Sequence, residues 1–425
     1  MRMRVSRVVA VTGSLCCLVT WSDVASAGAP SLAPIIPNPA AMMFALPGIT
    51  AEANVTTVIG RTVVQPTAVS NPVVPNLIGY GDSGNMNKPR GQFAAGVVFR
   101  AEQWAVGFTT NPPYTQETLP NPMWAGMFYA RDTRAYSQNY KPQVAVQVTP
   151  WLNVGAGLQI QQMSVELAQA IQLAPGFASL NFKGSSVDYG YAVGATVSLS
   201  PATVLGIGYR SKVDQRLNGT ITRPAVPSLL LPAVTLPAVW PLPMPETVNL
   251  SLFQRISPAW SILAEADWAH WSRFSRLPIS VDPAGVPGVP SSLNFQWRDT
   301  WRFSAVVHYQ WSPVLSMRAG ARYEQASVTD RTRTVSAQGA DHIRLSAGIN
   351  YDLTERLTLD LSYAHNFARH VPVIVVPGHP NYSPTLGTFF GQAEIAADYI
   401  GVGLRYYWGC EWAWCRPAVA RQAAR

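Results

Sequence analysis

The stretch VDYGYAVGATVSLS, residues 187–200, decides the fold class. Val187, Tyr189, Tyr191, Val193, Ala195, Val197 and Leu199 fall on one face of an extended chain. Asp188, Gly190, Ala192, Gly194, Thr196 and Ser198 fall on the other. A period of two residues is that of a β-strand. One face is apolar and aromatic, and the opposite face is small or polar. In IRLSAGINYDL (343–353), Ile343, Leu345, Ala347, Ile349 and Tyr351 likewise oppose Arg344, Ser346, Gly348 and Asn350. LTLDLSY (357–363) repeats the contrast, with Leu357, Leu359, Leu361 and Tyr363 against Thr358, Asp360 and Ser362. Apolar faces toward lipid and small or polar faces toward a lumen are what a membrane-spanning β-barrel requires.

The connections between such strands sort by length. VTPWL (148–152), LSPATV (199–204), ISPAW (256–260) and WSPVL (311–315) are short turns built on proline. FRAEQW (99–104) and YDLTERL (351–357) are short turns without it. These six hairpins define strands near 91–100/103–110, 141–149/151–167, 187–199/203–215, 247–256/260–274, 301–311/314–328 and 341–351/356–367. One more strand near 51–64 and a last one, ADYIGVGLRYYW (397–408), bring the count to fourteen. An even count returns both ends to one side, with short turns periplasmic and long loops extracellular.

Composition agrees. Charged residues make up 13% of the chain, about half the usual globular share, and there are 14 Trp and 16 Tyr. The mature chain has no apolar run long enough for a transmembrane helix; Leu229 to Pro245 is interrupted by five prolines. Arg2, Arg4 and Arg7, the apolar run Val8 to Thr20 and the small residues Ala25-Ser26-Ala27 read as a secretory signal over residues 1–27. The net charge of +8 is diffuse, with no basic run that would mark a nucleic-acid partner. The six histidines have no metal-ligand spacing and no Gly-x-Ser-x-Gly element is present, so neither a metal site nor an enzyme is expected.

The segments EADWAHWSRFSRLPI (265–279), FQWRDTWRFSAVVHYQWSPVLSMRAGARYEQASV (295–328), YRSKVDQRLNGT (209–220) and HIRLSAGINYDLTERLTLDLSYAHNF (342–367) share a further character. They resemble the outer-membrane long-chain fatty-acid transporter family, which includes toluene and xylene channels. Asn38-Pro39-Ala40, within IIPNPAAMMFALPG (35–48), is similar to that family's N-terminal plug motif. The resemblance covers most of residues 36 to 408. It implies a fourteen-stranded barrel with a plug in its lumen, passing hydrophobic molecules down their gradient. Capture among extracellular loops, a lumen pocket and plug-gated lateral exit beside a kinked third strand are implied with it. The chain departs from the pattern in the short segment before Asn38 and in the extension past Trp408.

The chain is accordingly divided into a signal peptide (1–27), a plug segment (28–50), the barrel (51–408) and a C-terminal periplasmic extension (409–425). Asn38, Pro39 and Ala40 form a rigid bend in the plug, with Met42, Met43 and Phe44 as its apolar contacts. Gly107 is the interior breaker of the third strand and the candidate for its kink. Leu229, Leu230, Leu231, Val239 and Trp240 form an apolar extracellular loop, either a capture surface or a segment folded onto its neighbours. Arg298 is the candidate clamp for a substrate carboxylate; the alternative is a structural pair with Asp299 or a network with Glu265 and Asp267. Trp268, Trp271, Trp301, Tyr309 and Trp311 read as interfacial girdle rather than tunnel, and Cys410 with Cys415 as a local disulfide. Expected partners are a hydrophobic small molecule (fatty acid or hydrocarbon), outer-membrane lipid and lipopolysaccharide, and the barrel-assembly machinery. The chain is expected to be a monomer in the bacterial outer membrane, with no cofactor, no metal and no nucleic acid. A general polar porin or a non-transporting surface barrel stand as alternatives.

Overall fold

The computed structural model describes residues 33–72, 74, 76–173, 176–225, 232–282 and 292–409. The expected signal peptide, Leu229, Leu230, Leu231, Cys410 and Cys415 lie outside them. Two short 3₁₀ turns, Ala33–Ile35 and Pro39–Phe44, precede the first strand. The strands of the first half are β1 (Gly48–Ser70), β2 (Arg90–Arg100), β3 (Trp104–Asn111), β4 (Thr115–Thr118), β5 (Thr133–Thr149), β6 (Leu152–Leu173) and β7 (Gly176–Ser200). Next come β8 (Thr203–Arg210), β9 (Val213–Arg223), β10 (Val234–Met244), β11 (Thr247–Arg255) and β12 (Trp260–Ala269). Three short strands follow, β13 (Arg276–Pro278), β14 (Ser280–Val281) and β15 (Ser292–Asn294). The chain closes with β16 (Thr300–Ser312), β17 (Leu315–Glu324), β18 (His342–Asp352), β19 (Leu357–Val375) and β20 (Thr388–Trp408).

These make a closed antiparallel barrel of fourteen wall strands. Three wall positions each join two consecutive segments: β3 with β4, β8 with β9, and β10 with β11. The barrel closes between β1 and β20, in register from Ile49/Trp408 to Ser70/Thr388 with one shift near Pro66. Closure joins the two ends of the sheet, as a wall in lipid requires. The expected alternation is the observed one: Val187, Tyr189, Tyr191 and Val193 are exposed, while Ala192 and Thr196 are buried toward the lumen. A strand needs about 9–11 residues to span the bilayer. At 25 residues, β7 extends well past it into an outer rim.

Two expectations are corrected here. Val239 and Trp240 were expected in a loop, but Val234–Met244 is β10, paired along its whole length with β9. Pro237 faces away from β9, where its carbonyl accepts from Asp282 N–H. Pro241 and Pro243 share its parity, so none of the three removes a donor from the β9 ladder. Trp240 and Leu242 alternate with them and are buried inward, Trp240 edge-on to Phe182 at 5.5 Å. Gly107 does not kink the third strand: it pairs regularly with Val98 on β2 and Gln143 on β5. Glycine still supplies an N–H and a C=O to the ladder. The interruption falls at Pro112-Pro113, after the last β2–β3 pair, Ala95/Thr110. Just beyond it Pro112, Pro113 and Tyr114 are buried, so the chain turns inward before β4 rejoins β5.

Candidate functional site

The segment Ile35–Ala45 lies against the lumen faces of β3, β5, β6 and β7. Asn38 caps the 3₁₀ turn: its side-chain oxygen accepts from Ala40 N–H at 3.0 Å. Its amide nitrogen donates to the Ala195 carbonyl on β7, also at 3.0 Å. Pro39 at the first helical position fixes φ where no hydrogen-bonding N–H is needed. Ala40 and Met42 are fully buried, and Met43 nearly so. Phe44, expected among the contacts, is 45% exposed instead. With three residues per 3₁₀ turn, Phe44 stacks over Ala41 on the face turned from the wall.

The seat is a patch of wall without side chains. A Cβ at Gly194 would lie 2.1 Å from Asn38 Oδ1, and at Gly155 2.6 Å from Ala40 N. At Gly208 it would meet the Pro37 carbonyl oxygen at 2.3 Å, and at Gly107 the Met42 sulfur at 2.7 Å. Gly107 therefore makes room for the segment. Gly48, at φ +114°, turns the chain from the lumen into β1, so the wall begins there rather than at residue 51. Arg100 Nη1 donates to the Ala45 carbonyl at 2.8 Å, and Tyr407 Oη to that of Pro47 at 2.7 Å.

Lys141, on the lumen face of β5, was not anticipated as a site residue. It is 1% exposed, and its ammonium donates to the main-chain carbonyls of Ile35, at 3.4 Å, and Ile36. The charge acting on it is that of Arg210, another cation, rather than of a carboxylate. Arg210, buried on β8, donates through Nε to Gln159 Oε1, which also accepts from Asn139 Nδ2, both at 3.0 Å. Arg210 also acts on the Tyr114 hydroxyl. The one available signal was compositional. On the inward face of β5, Lys141 stands among Ala135, Ser137, Asn139, Gln143 and Ala145, with no acid.

Tyr114 packs into an aromatic cluster that walls one side of a chamber, its ring edge-on to Trp271 at 5.8 Å. After β12 the chain bends inward through Trp271–Arg273. Glu246 pins this bend, accepting from Arg273 Nε at 2.6 Å and meeting His270 Nδ1 at 2.6 Å. Phe274 stacks on Trp297 at 4.8 Å, and Phe295 packs edge-on against both. Trp271, Phe274, Phe295 and Trp297 are all buried. Trp301 and Trp311 face outward, so Trp271 alone of these expected girdle tryptophans is interior. A cavity of about 140 Å³ borders Trp271 and Trp297 on one side and Arg344, Arg369 and Tyr399 on the other.

Arg298 lies outside this chamber. It is exposed, donating to Asp341 Oδ1 and to the Ala326 carbonyl, each at 3.0 Å. Its partner is thus neither Asp299 nor the Glu265/Asp267 network; Asp299 accepts from Ser272 N–H. The opposite half of the lumen is filled by ion pairs. Arg302 bonds Asp267, Arg318 holds Asp360 by two bonds of 2.6 and 2.9 Å, and Arg405 bonds Glu52. Among the described residues no group of acidic, histidine or cysteine side chains is placed to hold a metal.

Residues 23–407 match the family model for the outer membrane protein transport protein (OMPP1/FadL/TodX). The long-chain fatty acid transport protein of Escherichia coli strain CFT073 is 27% identical over 198 residues, 44% of each chain. The 47 kDa outer membrane protein of Pasteurella multocida is 24% identical over 296 residues, 64% of this chain and 68% of that one. The crystal structure of a Pseudomonas aeruginosa FadL homologue superposes with a TM-score of 0.79 at 20% identity, covering 93% of this chain and 99% of that one. The Ralstonia pickettii toluene transporter TbuX gives 0.67 at 16% identity, with 89% and 94% covered. The chain therefore belongs to the OMPP1/FadL/TodX family of outer-membrane transport proteins for hydrophobic compounds.

Proposed function

We propose that the substrate is a long-chain fatty acid, admitted among the extracellular loops, held in the barrel and released sideways into the bilayer past the plug. The observation that carries this is the pairing of an aromatic chamber with the inward cations Arg210 and Lys141. An alkyl chain gains by leaving water for the chamber, at about 0.8 kcal/mol per buried methylene. A carboxylate in such surroundings needs a charged partner, because burying it alone is costly. Arg298 is a weaker clamp than Lys141, since Asp341 already engages it at the surface. The inward turn at Pro112-Pro113 supports a lateral exit beside the third strand. No nucleotide is required; partition into membrane and later metabolism supply the drive.

The stacked rings of Phe274 and Trp297 favour a second reading, uptake of aromatic hydrocarbons. Cells lacking their own transporter, expressing this chain, separate the two when given labelled oleate or labelled toluene. Oleate uptake that falls with Arg210→Met while toluene is excluded is the expected result. Toluene uptake indifferent to Arg210 overturns it, and uptake of neither points to a surface anchor.

A further inference from the structure

We propose that Lys141 is a latch shared between the plug and the substrate carboxylate, so that an acid, and not a neutral lipid, unseats the plug. This rests on the fatty-acid reading above and adds to it a residue and a trigger. In the seated state the Lys141 ammonium is buried and donates to two neutral acceptors, the carbonyls of Ile35 and Ile36. Arg210 adds repulsion rather than compensation. A buried ammonium held by neutral carbonyls and facing another cation is an incompletely compensated charge.

A chain of contacts runs toward it. Tyr114 joins the chamber through Trp271, Arg210 acts on Tyr114, and Gln159 links Arg210 to Asn139. Asn139 and Lys141 are successive lumen-facing residues of β5. On this chain of contacts Arg210 lies toward the aromatic cluster and Lys141 toward the plug. An ionised acceptor offers the ammonium a full opposite charge, where a carbonyl offers only a dipole. On reaching Lys141 the carboxylate takes the donors that held Ile35 and Ile36. The rest of the seat is then Asn38 with its glycine patch, the buried Met42 and Met43, and the bonds from Arg100 and Tyr407 nearer β1. No bond is made or broken; one acceptor replaces another.

The test follows amide exchange in residues 33–47 of the full mature chain in detergent, by mass spectrometry, with oleate or with methyl oleate. Calorimetry on the same samples reports binding. In the wild type, oleate is expected to raise plug exchange by about tenfold, the effect of losing one charged hydrogen bond. Methyl oleate should bind without that effect. Lys141→Met should exchange rapidly without ligand and respond no further to oleate, while Lys141→Arg retains the response. Heat-modifiable mobility on gels verifies that each variant is a folded barrel. If oleate binds and the plug stays protected, or if methyl oleate releases it equally, the latch is wrong. If oleate does not bind at all, the fatty-acid reading fails instead. The wild-type comparison stands even if neither variant folds.

Discussion

Gly155, Gly194 and Gly208 carry no side chain at the places where the backbone of Pro37–Ala40 meets the wall. A single methyl group at Gly194 has nowhere to go, because Asn38 Oδ1 occupies its position. Gly194→Ala is therefore expected to expel Asn38 and forfeit its cap, about 1 kcal/mol within a range of about 0.5–2. Plug amides should exchange roughly five times faster, with the barrel's melting unchanged because the outward face and the ladder are untouched. Gly91→Ala, where nothing lies within 4 Å, is the matched control. Equal protection in both variants would remove the glycine seat from the account. Trp240 is a second residue-scale case. It is fully buried against Phe182, and Trp240→Ala should cost about 3–5 kcal/mol, read as a lower unfolding temperature.

At the scale of elements, the extracellular segment between β19 and β20 carries a pH-dependent joint. His379 Nε2–H donates to the Arg333 carbonyl at 3.1 Å, and Nδ1 accepts from Asn381 N–H at 3.1 Å. Only the neutral ring makes both bonds. Burial pushes its pKa below the ordinary histidine value, and the Arg333 bond opposes this in part. A depressed folded-state value means the unfolded segment binds the proton more readily. Its contribution to stability is thus complete above about pH 6.5 and declines as pH falls through that value. Protease nicking near residue 380 should rise in that window for the wild type and stay flat for His379→Gln. The wall strands were legible because their alternation is local and lipid enforces it on every strand. β10 was not, since its prolines hide a strand unless their shared edge-facing parity is known. Other gaps have the same origin in long-range pairing. Arg298 and Asp341 are 43 residues apart, and Lys141 and Ile36 are 105 apart. No local pattern announces such partners.

For the whole molecule, two different materials occupy the lumen. The plug covers the glycine-lined side, and buried pairs such as Arg302–Asp267 and Arg318–Asp360 fill the other. The intact barrel is expected to carry little ion current in planar bilayers, whereas deletion of residues 33–47 opens a steady conductance. A large current from the intact protein would instead favour a polar porin. Arg318→Ala, which strands Asp360, should cost about 3–5 kcal/mol. Replacing both members with leucine should cost far less and leave the barrel closed. The β1–β20 seam has a bearing on biogenesis as well. It joins the first wall strand to the last, and Tyr407 then fastens onto Pro47 just ahead of β1. The ring cannot shut until β20 reaches β1, although the segment inside it lies at the other end of the described chain. Pairing of β20 with β1 therefore fixes on which side of the sheet the N-terminal segment stays, and once the seam is made that segment is enclosed.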